Sequence, residues 1–341
     1  MNALTTNLTK TKEFNNDLLG YKYIDLFAGI GGFHLALSSF KAECVFASEW
    51  DVAAARVYEN NFGIKPFGDI TKISEQDIPK HDILCGGFPC QAFSVSGKQK
   101  GFEDTRGTLF FDIARIVEFH RPKILFLENV KNLEKHDNGK TLNVIINTII
   151  NLGYNVFHRV LNASDYGLPQ NRERIFIVCF RNDLNVKKFD FPKSIKTQIS
   201  LFDILEDNPE AKIIKRNDIQ INKEFKPNIN IFGEAELPNK PIQIGIVNKG
   251  GQGERIYSPH GHACTLSAYG GGAGSKTGIY YVNGVLRKLS TRECARVQGF
   301  PDDFLIDENQ GQAYKQFGNS VAVSVLKEIL KQIIKVVKNG L

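Results

Sequence analysis

The residues best placed to do chemistry are Pro89-Cys90-Gln91, which follow the apolar stretch Asp82-Ile83-Leu84-Cys85-Gly86-Gly87-Phe88. A thiolate is the strongest side-chain nucleophile near neutral pH. An apolar strand giving way to a glycine-bearing loop is also where an open α/β sheet presents its reactive groups. Taken alone, Cys90 reads more readily as a small buried hydrophobe, the usual state of a free cysteine.

Three further clusters move that reading. Glu128-Asn129-Val130 closes another apolar run with a carboxylate on the same side of a parallel sheet as Cys90; capping of the next segment is the bland alternative. Gln170-Asn171-Arg172-Glu173-Arg174 carries arginines at i and i+2, which share a face in an extended chain, unless both merely solvate the surface. Asp25-Leu26-Phe27-Ala28-Gly29-Ile30-Gly31-Gly32 is a glycine-rich strand-to-helix turn, and Glu49 follows it. The glycine spacing departs from G-x-G-x-x-G, and any tight turn uses glycine; but an acidic residue about 20 positions on suits ribose hydroxyls. Glu49, Trp50 and the pair Asp69-Ile70 can supply a ribose acceptor, a stacking ring and an adenine contact. Several weak signals converging on one sheet edge outweigh each singly.

Such residues need a frame. Short apolar runs predict strands at 23–28, 44–48, 83–86 and 123–127. Amphipathic stretches between them predict helices at 33–40, 52–60, 109–119 and 142–152, and two closing strands follow at 154–161 and 174–180. Strands separated by helices imply an α/β fold with a mostly parallel sheet covered on both faces. Near Arg181 the alternation stops, and a stretch rich in Asn, Lys and Pro runs to about residue 240. Residues 245–284 hold 11 of the 30 glycines, which predicts short strands joined by loops whose backbone takes positive φ or approaches a partner closely. Ser290-Thr291-Arg292-Glu293 has capping-box spacing and opens a helix to 297; a last helix, 321–337, is expected to pack back on the sheet domain.

Composition excludes several classes. The 341 residues suit one large domain and a smaller one. Six scattered cysteines without a CxxC pair or a secretory leader argue for reduced thiols in a cytosol. No apolar run approaches the roughly 20 residues that span a bilayer. His260 and His262 have no Cys or carboxylate at ligand spacing, so no metal is expected. The net charge is +6, and residues 181–289 hold 16 Lys and Arg against 11 Asp and Glu. That excess suits a polyanion such as nucleic acid, or an ordinary solvated surface.

In order along the chain, Asp25-Leu26-Phe27-Ala28-Gly29, Gly87-Phe88-Pro89-Cys90-Gln91, Glu128-Asn129-Val130, Gln170-Asn171-Arg172-Glu173-Arg174 and Gln316-Phe317-Gly318-Asn319-Ser320 match the motif blocks of DNA cytosine-5 methyltransferases. The chain resembles this family over nearly its whole length. It looks closest to the GCGC-specific restriction-modification branch. That likeness rests on the stretch 94–111, on Gly250-Gly251-Gln252-Gly253-Glu254-Arg255 and on Thr265-Leu266-Ser267-Ala268-Tyr269-Gly270-Gly271-Gly272. The resemblance implies a class I S-adenosylmethionine-dependent, Rossmann-like catalytic domain (21–185) after an arm (1–20). A smaller, mostly β/loop target-recognition domain (186–288) follows, then C-terminal helices (289–341) that return to the catalytic domain.

It also implies roles. Cytosine C5 is a poor nucleophile, so Cys90 would add to C6 and make C5 enamine-like. Glu128 would hydrogen-bond N3 and the exocyclic amine, Arg174 would position the flipped base and Arg172 would support the site. Phe27, Gly29 and Gly31 would underlie the methionine part of S-adenosylmethionine, Glu49 the ribose, Trp50 and Ile70 the adenine faces, and Asp69 its amine. Pro89, Leu109, Asn319 and Ser320 would complete the pocket. A base inside a duplex cannot reach such a pocket, so it must be flipped out, and Ser96 and Gln252 match positions that fill the hole. Lys98 and Arg106 would contact phosphate from a mobile lid, Arg255 would read guanine, and Tyr269, Gly271 and Gly272 would line the DNA.

Two departures stand against this pattern: Ser258-Pro259-His260-Gly261-His262 between the recognition blocks, and Phe300 where the branch has tyrosine. A tRNA cytosine-5 methyltransferase would keep Cys90 and Glu128 but lack the glycine-rich loops. An inactive DNA-binding module would have lost Cys90, Glu128 or the Gly29 turn. The expected partners are double-stranded DNA and a cognate restriction endonuclease, for a monomer in the bacterial cytoplasm.

Overall fold

Each predicted apolar run of the first half becomes a strand in the computed structural model, which describes residues 17–89, 109–195, 197–222, 225, 228–229 and 235–340. These divide into two units, one built from Asn15–Leu161, Glu173–Pro192 and Leu326–Leu341, the other from Asn162–Arg172 and Lys193–Val325.

The first unit holds β1 (Lys22–Leu26), β2 (Glu43–Ser48), β3 (Ile83–Gly87), β4 (Ile124–Val130), β5 (Tyr154–Asn162) and β6 (Glu173–Arg181) in one sheet, ordered β2-β1-β3-β4-β6-β5. β1 pairs in parallel with β2 and β3, and β3 with β4, while β6 runs antiparallel to β4. Register explains the composition. Ile24, Leu84 and Leu125 form one cross-strand row, and Asp25, Cys85 and Phe126 form the next, which faces the opposite side. The helices α1 (Gly32–Ser38) and α2 (Val52–Phe62) cover one face, where Phe33 meets Phe126 edge-on at 5.1 Å. On the other face lie α3 (Leu109–His120) and α4 (Lys140–Asn151), whose Ile113, Val117, Ile145 and Ile149 share a core with Ile24, Leu26, Leu125 and Leu127. With both faces covered, strands must be apolar throughout, which is why the sequence shows runs rather than alternation.

One boundary differs from expectation in a way that matters for the site. The strand predicted to stop at 127 continues to Val130, because β6 keeps pairing with it: Glu128 opposes Phe176 and Val130 opposes Arg174. Glu128 therefore lies inside a ladder, not beyond its end.

The second unit contains β7 (Gln220–Ile221), β8 (Asn228–Ile229), β9 (Ala235–Glu236), β10 (Ile242–Ile246), β11 (Arg255–Ser258), β12 (Ile279–Val282) and β13 (Val285–Arg287). Five of these form a sheet ordered β13-β12-β11-β10-β7, over a small core of Ile244, Val247, Ile256, Ile279 and Leu286. The capping box is present: Ser290 and Glu293 exchange bonds at the start of α5 (Thr291–Val297), and Glu293 also pairs with the buried Arg287 at 2.7 Å. The helix α6 (Gln310–Asn319) was not expected from the sequence, its QGQAYKQFGN being mostly polar; Asn309 caps it by accepting from Gln312. The last helix, α7 (Val323–Gly340), begins two residues later than predicted and buries Leu326, Ile329, Leu330, Ile333 and Ile334.

Candidate functional site

Three turns meet the carboxyl-terminal edge of the first unit's parallel strands. After β1 the chain reverses through Phe27, Gly29 and Gly31, with φ of 55°, 55° and 87°. A Cβ on Gly31 would stand 2.1 Å from the Phe62 ring, so glycine is obligatory there. Over Gly29, by contrast, no described atom lies within 4 Å of a Cβ position. Glu49 secures the turn: one carboxylate oxygen accepts the Gly29 N–H at 2.8 Å and the other the Asp51 N–H at 2.8 Å. Burial raises the Glu49 pKa, and these amides oppose that rise. Beside it Trp50 is 78% exposed and offers a large apolar face.

Asp69 caps a single 3-10 turn, Ile70–Lys72, rather than ending a strand, and its Oδ1 accepts from the Thr71 N–H and hydroxyl at 3.1 and 2.8 Å. Those bonds hold its carboxyl below the usual range. Ile70 beside it is buried. Its carbonyl accepts from Arg115 of α3 at 2.7 Å, while the same guanidinium reaches Glu75 at 2.6 Å and Asp112 at 3.0 Å. Arg115 is a positioning residue that sequence reasoning missed, since an arginine inside an amphipathic helix carries no local signal. The open space over Gly29, the buried Glu49, the exposed Trp50 and the Asp69–Ile70 turn fit an adenosine-bearing ligand.

β3 leads to Phe88 and the exposed Pro89. Gly87 pairs with Glu128, which puts that carboxylate in register three residues before Cys90. Glu128 is 7% exposed, and its Oε1 lies 3.1 Å from Arg174 Nε. Next to it, buried Asn129 donates to the Phe88 carbonyl at 2.8 Å and anchors the backbone two residues before Cys90. The sequence flagged Asn129 only as a motif member. Its role depends on a neighbour 41 positions away. Cys90, Ser96, Lys98 and Arg106 lie outside the described residues. Leu109, half-buried, opens α3. Cys85 is fully buried, its thiol donates to the Ile24 carbonyl at 3.3 Å, and burial drives its pKa well up. It is an inert core thiol.

Arg172 belongs to the second unit and is 2% exposed. Its guanidinium donates to the carbonyls of Leu266 at 2.9 Å, Gly318 at 3.1 Å and Ser320 at 2.5 Å. Spacing alone put Arg172 and Arg174 on one face; the structure gives them unlike partners, carbonyls for one and a carboxylate for the other. Asn319 and Ser320 sit at the end of α6, held from both flanks by Arg172. Close packing backs this up, as a Cβ on Gly318 would stand 2.2 Å from the Ser267 carbonyl carbon.

In the same unit Gln252 and Arg255 are exposed on the turn that enters β11. The second glycine block touches it: the Gly274 N–H donates to the Gly253 carbonyl at 2.7 Å, and a Cβ on Gly253 would stand 2.3 Å from the Gly271 carbonyl. Gly271 and Gly272 are exposed, and Tyr269 is 75% exposed. The departing segment turns inward. His262 is buried with Nε2 3.0 Å from the Ile199 carbonyl, and burial lowers its pKa. The His260 ring stacks 5.3 Å from Phe202. Among the described residues no cluster of three His, Cys, Asp or Glu could hold a metal, and none of their helices is long and apolar enough to cross a membrane. Phe300 is buried against Phe304 and Phe317.

The family model for C-5 cytosine-specific DNA methylases matches residues 21–335. Type II methyltransferase M.HhaI of Haemophilus parahaemolyticus is 56% identical over 322 residues, which is 94% of this chain and 96% of the relative. M.SsoII of Shigella sonnei is 45% identical and covers 94% of this chain and 82% of its own. Among solved structures, a putative DNA modification methyltransferase from an E. coli prophage superposes with a TM-score of 0.68 over 94% of this chain and 100% of its own, at 22% identity. The S. pombe Dnmt2 methyltransferase does so at 0.65 over 93% and 99%, at 18%. At such identities these two structures speak to the fold.

Proposed function

This chain belongs to the C-5 cytosine-specific DNA methylases, and from that membership we propose that it flips the internal cytosine of GCGC out of duplex DNA and methylates it. It is a DNA cytosine-5 methyltransferase whose methyl donor is S-adenosylmethionine. The donor supplies an electrophilic methyl group. What the chain must supply is a nucleophilic C5, and the buried Glu128–Arg174 pair, in register with the strand that leads to Cys90, is the observation that carries this reading.

Cys90 thiolate adds to C6 of the flipped base, forming the S–C6 bond and pushing electron density onto C5 and toward N3. Glu128, with its carboxyl protonated, donates to N3 and accepts from the exocyclic amine, so it stabilises the negative charge that develops at N3 as the thiolate adds. Arg174 orients Glu128 and the base, while Arg172 acts through the carbonyls it holds. Once C5 carries the methyl group, loss of the C5 proton expels Cys90 as the thiolate and restores the ring. On the donor side Glu49 accepts from the ribose, Trp50 and Ile70 flank adenine, Asp69 takes its amine, and Phe27, Gly29, Gly31, Pro89, Leu109, Asn319 and Ser320 complete the pocket.

Gln252 and Ser96 occupy the space left by the flipped base, Arg255 reads guanine, Tyr269, Gly271 and Gly272 line the duplex, and Lys98 and Arg106 hold phosphate. GCGC is favoured by the likeness of both glycine blocks to the GCGC branch. The same reading makes the chain the monomeric modification partner of a cognate restriction endonuclease in a bacterial cytoplasm. Expression in a methylation-free host tests it: plasmid should resist a nuclease blocked by GCGC methylation, and complete cutting overturns the specificity. A 5-fluorocytosine GCGC duplex should trap a covalent adduct with the wild type and none with Cys90→Ser.

A further inference from the structure

We infer that Asp218 is a positioning residue that sets the shape of the turn carrying Gln252 and Arg255. The inference rests on reading that turn as a reader of DNA. The turn 247–254 places Asn248, Gly250 and Gly253 at positive φ of 49°, 73° and 83°. Asn248 is the one non-glycine among them, and asparagine is one of the few side chains that enter this region. Its own backbone closes the turn with Val247 N–H to Glu254 O at 2.8 Å and Glu254 N–H to Gly251 O at 3.0 Å.

One chain of polar contacts ties this turn to the rest of the unit. Gln220 of β7 pairs with Ile246 of β10 in antiparallel register, and that register, extended two residues, sets Asp218 opposite Asn248. Asp218 Oδ2 accepts the Asn248 N–H at 2.9 Å. Arg216 grips the same carboxylate as a fork, at 2.7 and 2.6 Å. The Asn248 amide in turn donates to Glu254 Oε1 at 2.6 Å, and Glu254 Oε2 accepts the Gly251 N–H at 2.9 Å, next to Gln252. Arg216 and Asp218 are each 41% exposed by side chain, where an ion pair contributes little to folding. Its effect is instead to hold the turn in one conformation before DNA arrives, which lowers the ordering cost of binding.

The test measures binding of the full chain to a GCGC duplex and to a scrambled duplex across a salt series. Asp218→Ala should weaken GCGC binding about tenfold, the scale of a hydrogen bond to a charged group, and leave scrambled binding, the salt slope and the single-turnover rate at saturating duplex unchanged. Asp218→Asn, which preserves the shape, should show a smaller loss. With Gln252→Ala the losses should combine to less than their product, because both act through one turn. Equal loss on both duplexes with a shallower salt slope would make this a phosphate-binding surface and overturn the inference. So would fully multiplicative losses, or unchanged GCGC binding. If Gln252→Ala and Arg255→Ala themselves leave GCGC binding unchanged, the reading of the turn fails, and the inference with it.

Discussion

Glu128 sits in a strand paired on both sides and is 7% exposed, whereas Gln252 sits exposed on a turn bounded by glycines and steered by polar links. The two regions hold functional side chains by different physics. In the sheet, position follows from cooperative burial, and two adjoining ladders fix Gly87, Glu128, Phe176 and Arg174 together. In the recognition turns it follows from backbone torsions that glycine permits and a few exposed hydrogen bonds. The first arrangement suits chemistry that is common to a family, and the second suits loops whose contacts differ from one specificity to another.

The sharpest way to break the contrast is at the buried pair. Glu128→Gln should lower single-turnover methyl transfer by about a thousandfold while duplex binding persists, because charge stabilisation is removed without losing the fold. A rate within tenfold of wild type would make the pair structural. Glycines sharpen it next. A Cβ on Gly86 would stand 2.4 Å from the Leu26 carbonyl, so Gly86→Ala should lose about 3 kcal/mol or more in urea unfolding. Gly271→Ala meets no described atom within 4 Å and has no positive φ, so it should change stability by under about 0.5 kcal/mol.

Acid separates the regions too. Burial lowers the pKa of His34 and of His81, both in the sheet unit, from 6.5 to about 4. The unfolded chain takes up those protons below pH 6.5 and the folded chain only near 4. Stability should therefore fall as pH drops through that window, by about 3 kcal/mol for each histidine at its foot. Asp218 behaves oppositely in range: bonds from Arg216 hold its carboxyl down at about 2, so the turn's anchor persists above pH 4 and is lost only as pH falls toward 2. Unfolding followed by circular dichroism at pH 7, 5.5 and 4.5, beside hydrogen exchange at Asn248, would separate the two. A turn that opens before the sheet weakens would refute the contrast. A local effect is expected at Trp50: Trp50→Ala should leave stability unchanged and weaken S-adenosylmethionine binding about tenfold, since the residue is exposed and offers a stacking face.

Most of the sheet was legible because buried parallel strands write themselves as apolar runs, and β1, β2 and β3 fall within a residue or two of expectation. The capping box at Ser290 was equally local. Arg115, Asn129 and Asp218 were not legible. Each acts on a backbone group far along the chain, and nothing in its immediate neighbours announces that contact. The helix α6 was missed because its buried face is short and its polar residues mask the period.

The sequence by itself determined the strand–helix alternation, the places where glycine is required and the order of the reactive motifs, all encoded by residue type over short spans. Only the tertiary structure decided that Glu128 lies within a ladder against Arg174, that Arg172 grips three carbonyls while its neighbour two residues on meets a carboxylate, and that His262 is buried while His260 stays exposed against Phe202. Those outcomes depend on which distant strand or loop arrives to complete each hydrogen bond, and register and packing set that after the local elements have formed.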